Sequence, residues 1–270
     1  MSFSPIVPMG GLGGFRFLNR TRETQQATFE AQPRISRNIE AFSARIATVS
    51  SAKELVEDRQ LLEVALGAFG LDEDINSKYL IERVLSEDPD NDTSLSSRFA
   101  DKRYQALSDA FGFGKLGGPS TAFPGFSDKI IAQYTDRQFE VAVGEVDPDM
   151  RLALGFSRGL EEIVAKDMSN DAAWFTVMGN RPLRTVLETA LGLPKSLGTL
   201  DIDQQLEVFK DRAKAKFGTN SINDIAAKDM SATVTDTFLL RSQVNALAEN
   251  QLSGASVALS LLQSAPRFLL

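Results

Sequence analysis

The chain has neither cysteine nor histidine in its 270 residues. Disulfides are therefore excluded in any compartment, and the fold has to stand on packing. A zinc centre of the usual Cys/His kind is excluded as well. So are a Ser-His-Asp triad, a Cys-His pair and any imidazole relay near neutral pH. Amphipathic aromatics are scarce, with one Trp and three Tyr beside 18 Phe, which leaves few rings with a polar handle for building a pocket. A basic excess is missing too: 29 Lys and Arg stand against 36 Asp and Glu, a net charge of -7. The counterion-releasing basic face of a nucleic-acid binder is not expected from that balance. No run approaches the roughly 20 apolar residues that span a bilayer. Met1 to Met9 carries no basic region, and Gly10, Gly11, Gly13 and Gly14 follow it, so a cleavable leader is not expected. A soluble cytoplasmic protein is the default expectation, with signal-less export left open.

What is present is a helical pattern from end to end. With 43% hydrophobic residues the chain has the means to build a core. Residues 1–35 are Gly-rich and then polar (Thr21, Thr24, Gln25, Gln26, Thr28) before Pro33, which predicts a flexible or loosely docked arm. Ser36 is a candidate cap for a short helix carrying Ile39, Phe42 and Ile46. Ser51 followed by Glu54 is a capping-box pattern, and it opens an apolar stripe of Leu55, Leu62 and Phe69 that ends at Gly70. Further helices are predicted over 75–85, 95–110, 127–143, 148–165, 182–192, 201–217 and 233–262. Residues 112–126 hold five Gly and two Pro, the composition of a linker. The expected architecture is therefore all-α and multihelical: an arm at 1–35, one helical subdomain at 36–111, a linker at 112–126 and a second helical subdomain at 127–270.

The two subdomains are expected to be related. Asp58-Arg59-Gln60-Leu61 through Phe69-Gly70-Leu71 resembles Asn180-Arg181-Pro182-Leu183 through Leu191-Gly192-Leu193 without a gap, and both stretches end on a helix-stopping Gly-Leu. Repetition of this kind bears on fold more than on chemistry. The arginine that opens each copy, Arg59 and Arg181, is expected to pair with a carboxylate such as Asp58 or Asp101.

Several strings come close to chemical motifs. Gly112-Phe113-Gly114-Lys115-Leu116-Gly117 has the glycine spacing of a dinucleotide loop, but a helix is predicted before it where that fingerprint needs a strand. Asp88, Asp90 and Asp92 have the first spacings of a calcium loop, yet Thr93 and Phe99 occupy the positions that need Gly and Glu. The pairs Glu161/Glu162 and Asp147/Asp149 lack the apolar surroundings that would raise a carboxyl pKa. Lys210, Arg212, Lys214 and Lys216 read as a solvated helix surface, and Trp174 with Phe175 as core. No residue is singled out as catalytic, cofactor-binding or metal-ligating.

Taken together, the strings Phe42-Ser43-Ala44-Arg45-Ile46, Asp58-Arg59-Gln60-Leu61-Leu62, Ala68-Phe69-Gly70-Leu71, Ser97-Arg98-Phe99-Ala100-Asp101-Lys102-Arg103-Tyr104, Arg137-Gln138-Phe139-Glu140 and Asn180-Arg181-Pro182-Leu183 resemble domain-of-unknown-function family 1217, typical of alpha-proteobacteria. The resemblance implies a multihelical fold with internally related parts and genes often lying among flagellar ones. It carries no established activity and no site residues. A non-enzymatic protein acting on protein partners of the flagellar system is the expectation, helped by Phe238, Leu239, Val244, Leu247 and Leu252 on the last helix and by the tail Phe268-Leu269-Leu270. The competing expectation is an enzyme or small-ligand binder that uses only Asp, Glu, Lys, Arg, Ser or Tyr. The oligomeric state is left open.

Overall fold

A computed structural model describes residues 4–99 and 101–251, the side chains of 249–251 excepted. The described residues form helices and turns without a strand, so the chain is all-α. In order they are α1 (Gly11–Glu30), α2 (Pro33–Arg45), α3 (Ala52–Glu57), α4 (Arg59–Phe69), α5 (Lys78–Ser86), α6 (Leu95–Arg98), α7 (Arg103–Phe111), α8 (Phe126–Val146), α9 (Pro148–Val164), α10 (Asn170–Gly179), α11 (Arg181–Leu191), α12 (Ile202–Phe217), α13 (Ile222–Ala226) and α14 (Lys228–Gln251). Two compact units result. The first comprises the described residues of 1–6 and 21–142, the second those of 7–20 and 143–270.

In the first unit α4 is the central element, packed by α2, α3 and α7. Asp58 starts it by accepting from the backbone N–H of Gln60 and Leu61, as an N-cap should. Leu61, Leu62, Val64, Ala65, Leu66, Ala68 and Phe69 are all buried. Gly70 stops it in the left-handed region (φ 69°), and Leu71 N–H bonds back to the Leu66 carbonyl at 2.9 Å. This is a Schellman ending.

In the second unit α11 holds the same place, packed by α9, α10, α12 and α14. Asn180 caps it with backbone angles (φ -91°, ψ 102°) close to those of Asp58 (φ -89°, ψ 103°). It is likewise 11 residues long and ends at Gly192 (φ 70°), with Leu193 N–H on the Glu188 carbonyl at 2.9 Å. Leu183, Val186, Leu187, Ala190 and Leu191 face the core. Trp174 is fully buried there, its ring tilted against Phe209 at 5.8 Å, with its indole N–H donated to the Asn220 carbonyl at 2.8 Å. Phe175, beside it, is instead partly exposed.

The structure corrects several expectations. Within 1–35 residues 11–30 form a helix, not an arm, because Phe15, Leu18, Gln25 and Phe29 reach buried positions. The helix after it begins at Pro33, with Ile35, Asn38 and Phe42 inward, three residues before the Ser36 cap. The stripe from Ser51 to Phe69 is two helices, since the Asp58 side chain caps a new one. A 3-10 turn over Asp72–Asn76 takes the start of the helix expected from Ile75. The 95–110 helix breaks between Arg98 and Arg103, where Asp101 holds Arg103; Ala100 lies outside the described residues.

Residues 112–126 are irregular, but they do not divide the units. Thr121 is buried and donates its hydroxyl to the Val49 carbonyl at 2.7 Å, Ser120 N–H bonds to the Phe111 carbonyl, and Phe126 meets Phe111 edge-to-face at 5.2 Å. The two compact units part after Ala142, with residues 7–20 in the second. The last helix starts at Lys228, earlier than Thr233, and Leu252, the stretch to Leu262 and Phe268-Leu269-Leu270 lie outside the described residues.

The capping box forms with one change. Ser51 accepts from Glu54 N–H, while the Glu54 carboxylate reaches back to Ser50 N–H at 2.7 Å and to the Ser50 hydroxyl. Those hydrogen bonds hold the Glu54 carboxyl below its ordinary value. A depressed folded pKa means stabilisation that is present above the unfolded value, about 4.3, and is lost as pH falls through the folded one. Glu54→Gln is expected to melt lower than the parent at neutral pH and to lose less on acidification below about pH 4. Melting temperatures across that range check it.

Candidate functional site

The residues flagged by spacing are held apart or turned to structural work. Asp88 accepts from Asp90 N–H and Asn91 from Thr93 N–H, so this loop spends side-chain oxygens on its own backbone. Among the described residues no group of acids is arranged to hold a metal ion. Asp147 caps α9, Asp149 accepts from the Ser242 hydroxyl, Glu161 from Ser157, and Glu162 pairs with Arg158. Gly112 is the left-handed stop of α7 (φ 68°) and turns follow it, which is not the strand–loop–helix setting of a dinucleotide site.

Neither Arg59 nor Arg181 makes the expected ion pair. Both are exposed and have no hydrogen-bond or ion-pair partner among the described residues, because Asp58 is taken by Arg45 at 2.5 Å and Asp101 by Arg103 at 2.6 Å. Arg59 instead borders a half-open cleft of about 270 Å³ in the first unit, with Arg34, Glu63, Leu66, Asp72 and Ile75. That cleft is largely self-neutralised. Arg34 is clamped by Glu63 at 2.5 and 3.0 Å, which holds its guanidinium pKa above the ordinary value, and Gln138 donates to Asp72 at 2.6 Å.

The feature that spacing does not reveal lies at the two Gly-stopped helix ends. Cations converge on both, as the negative end of a helix dipole favours. At the end of α4, Arg103 donates to the Gly70 carbonyl and is gripped by Asp101 through three contacts of 2.6–3.0 Å. At the end of α11, Lys216 donates to the Ala190 carbonyl and the Arg241 guanidinium closes on Gly192 with Nη1 foremost. A Cβ on Gly192 would fall 1.8 Å from Arg241 Nη1, whereas one on Gly70 would meet nothing nearer than 3.4 Å. Lys216 ends the basic run expected to be solvated, of which Arg212, Lys214 and Lys216 are exposed and Lys210 pairs with Asp171 at 2.6 Å. The convergence was invisible in sequence because Lys216 and Arg241 sit on different helices, 25 positions apart.

A second surface is the distal part of α14. Its proximal half is buried through Val234, Phe238 and Leu239, but Leu240, Val244 and Leu247 are 50%, 63% and 58% exposed, at a spacing that puts them on one face.

The family described as "Protein of unknown function (DUF1217)" matches residues 68–230, more than half of the chain. The chain belongs to the DUF1217 family. The matched stretch takes in Gly70, Arg103, Gly192 and Lys216 and ends before Arg241. A DUF1217 chain with this helix order is similar in fold to Protein AGR_C_984 from Agrobacterium tumefaciens, a structural-genomics crystal structure. The TM-score is 0.69 at 20% sequence identity, covering 90% of this chain and 99% of that one. No curated protein matches. Among the described residues no helix is long and apolar enough to cross a membrane.

The two helix ends give a stability test. Gly70→Ala forces a side chain into the left-handed region, at about 1–2 kcal/mol. Gly192→Ala adds displacement of Arg241 to the same strain, so it is expected to cost more, and the excess should vanish in an Arg241→Ala background. Urea unfolding of the four variants measures this.

Proposed function

We propose that this DUF1217 protein is a non-enzymatic helical interaction protein that works through protein partners of the bacterial flagellar system. The observation that carries the reading is the exposed apolar face of α14. From Gln243 to Ala248 every residue is exposed, and Leu240, Val244 and Leu247 share one side. Exposed leucines and valines in register along a helix suit a helix-against-helix partner, recognised by anchors at such spacing. The acids that line the cleft support the same reading: Glu63 is held by Arg34 and Asp72 by Gln138 rather than left converging on a common point, as acid–base chemistry requires. The flagellar assignment rests on the resemblance, through the gene neighbourhoods it implies.

Deleting the gene in an alpha-proteobacterial host should reduce spreading in soft agar, and the wild-type gene should restore it. A variant with Leu240→Ser, Val244→Ser and Leu247→Ser should accumulate normally with unchanged helix content yet fail to restore spreading. Unimpaired swimming of the deletion strain would overturn the proposal.

A further inference from the structure

Among the basic groups whose pKa is displaced, Lys216 at the end of α11 stands apart. Arg34, Arg103, Lys115 and Lys210 each have an acid partner, respectively Glu63, Asp101, Asp109 and Asp171, and that partner raises the pKa of each. Lys216 has none. Burial and the like charge of Arg241 hold it below the ordinary lysine value, and no carboxylate opposes them. Arg241 has no hydrogen-bond or ion-pair partner among the described residues. The matching position in the first unit shows the same arrangement completed, since Asp101 neutralises the Arg103 that reaches the Gly70 carbonyl.

Charge arithmetic points the same way. The C-terminal end of a helix carries roughly half a negative charge, and two cations converge on it, so about one and a half positive charges stay uncompensated. The donors are also idle. Lys216 spends one of its three on Ala190, while the five N–H donors of Arg241 find no acceptor within the described residues. Gly192 leaves room for the guanidinium to approach the backbone, with Nη1 in the space a Cβ would fill. A planar fork with an ammonium beside it matches two oxygens of a carboxylate or phosphate.

We propose that Lys216 and Arg241, at the Gly192 end of α11, form a binding site for an oxyanion, a carboxylate or a phosphate group, that takes the place Asp101 fills in the first unit. The site stands independently of the flagellar reading.

Titration of the full chain with sodium phosphate and, separately, sodium acetate, each against sodium chloride at equal ionic strength, tests it by ¹H–¹⁵N spectroscopy. Saturable shifts of the Arg241 Nε–H and of the Gly192 and Leu193 amides are expected with one or both oxyanions and not with chloride. Phosphate acting alone assigns the site to phosphate groups, and acetate acting alone to carboxylates. Arg241→Gln and Lys216→Gln should each weaken binding about tenfold, the effect of losing a charge-assisted contact, while Lys214→Gln on the same helix should not. The emission of Trp174 verifies that the variants keep the second unit folded. Shifts that do not saturate, or that persist unchanged in Arg241→Gln, overturn the proposal.

Discussion

Each unit is organised around one eleven-residue helix whose length its own sequence sets at both ends. A side-chain oxygen of Asp58 or Asn180 starts it, and a left-handed glycine stops it. Helices this short are marginal alone in water, so α4 and α11 persist because their neighbours bury them. The buried leucines and valines each contribute about 1.5–3 kcal/mol, and nothing covalent shares that work in a chain without cysteine. The caps matter because they keep the stripe in register: a helix one turn longer would carry its polar continuation into the core.

Most of this was legible from local chemistry. Ser51, Gly70 and Gly192 announced helix ends through hydrogen bonds made within a few residues, and each forms. Where the reading failed, tertiary packing outweighed composition. The glycines and threonines before Pro33 suggested an arm, yet Leu18 and Phe29 are buried and draw the segment into a helix. Asp58 was read as the interior of a long helix because Leu55, Leu62 and Phe69 keep a helical period across it. Its side chain caps instead. The Gly/Pro segment after Phe111 looked like a boundary, but Thr121 and Phe126 anchor it within the first unit.

The candidate site was the least legible part, and for a geometric reason. Spacing rules detect groups on one helix face or in one loop. The pairing of Lys216 with Arg241 comes from two helices converging on the end of a third, and the exposure of Val244 and Leu247 depends on where the packing against α14 stops. Strings that did carry spacing signals, such as Asp88-Pro89-Asp90, spend their oxygens on local turns.

The claim that α4 and α11 are the keystones of their units is tested most directly by native-state hydrogen exchange resolved by residue. If each unit is built on its capped helix, the amides of residues 62–69 and 184–191 should be the slowest in the chain and open only with unfolding of their whole unit. Slowest exchange in α8 or α14, with α4 and α11 opening in smaller, local events, would contradict it.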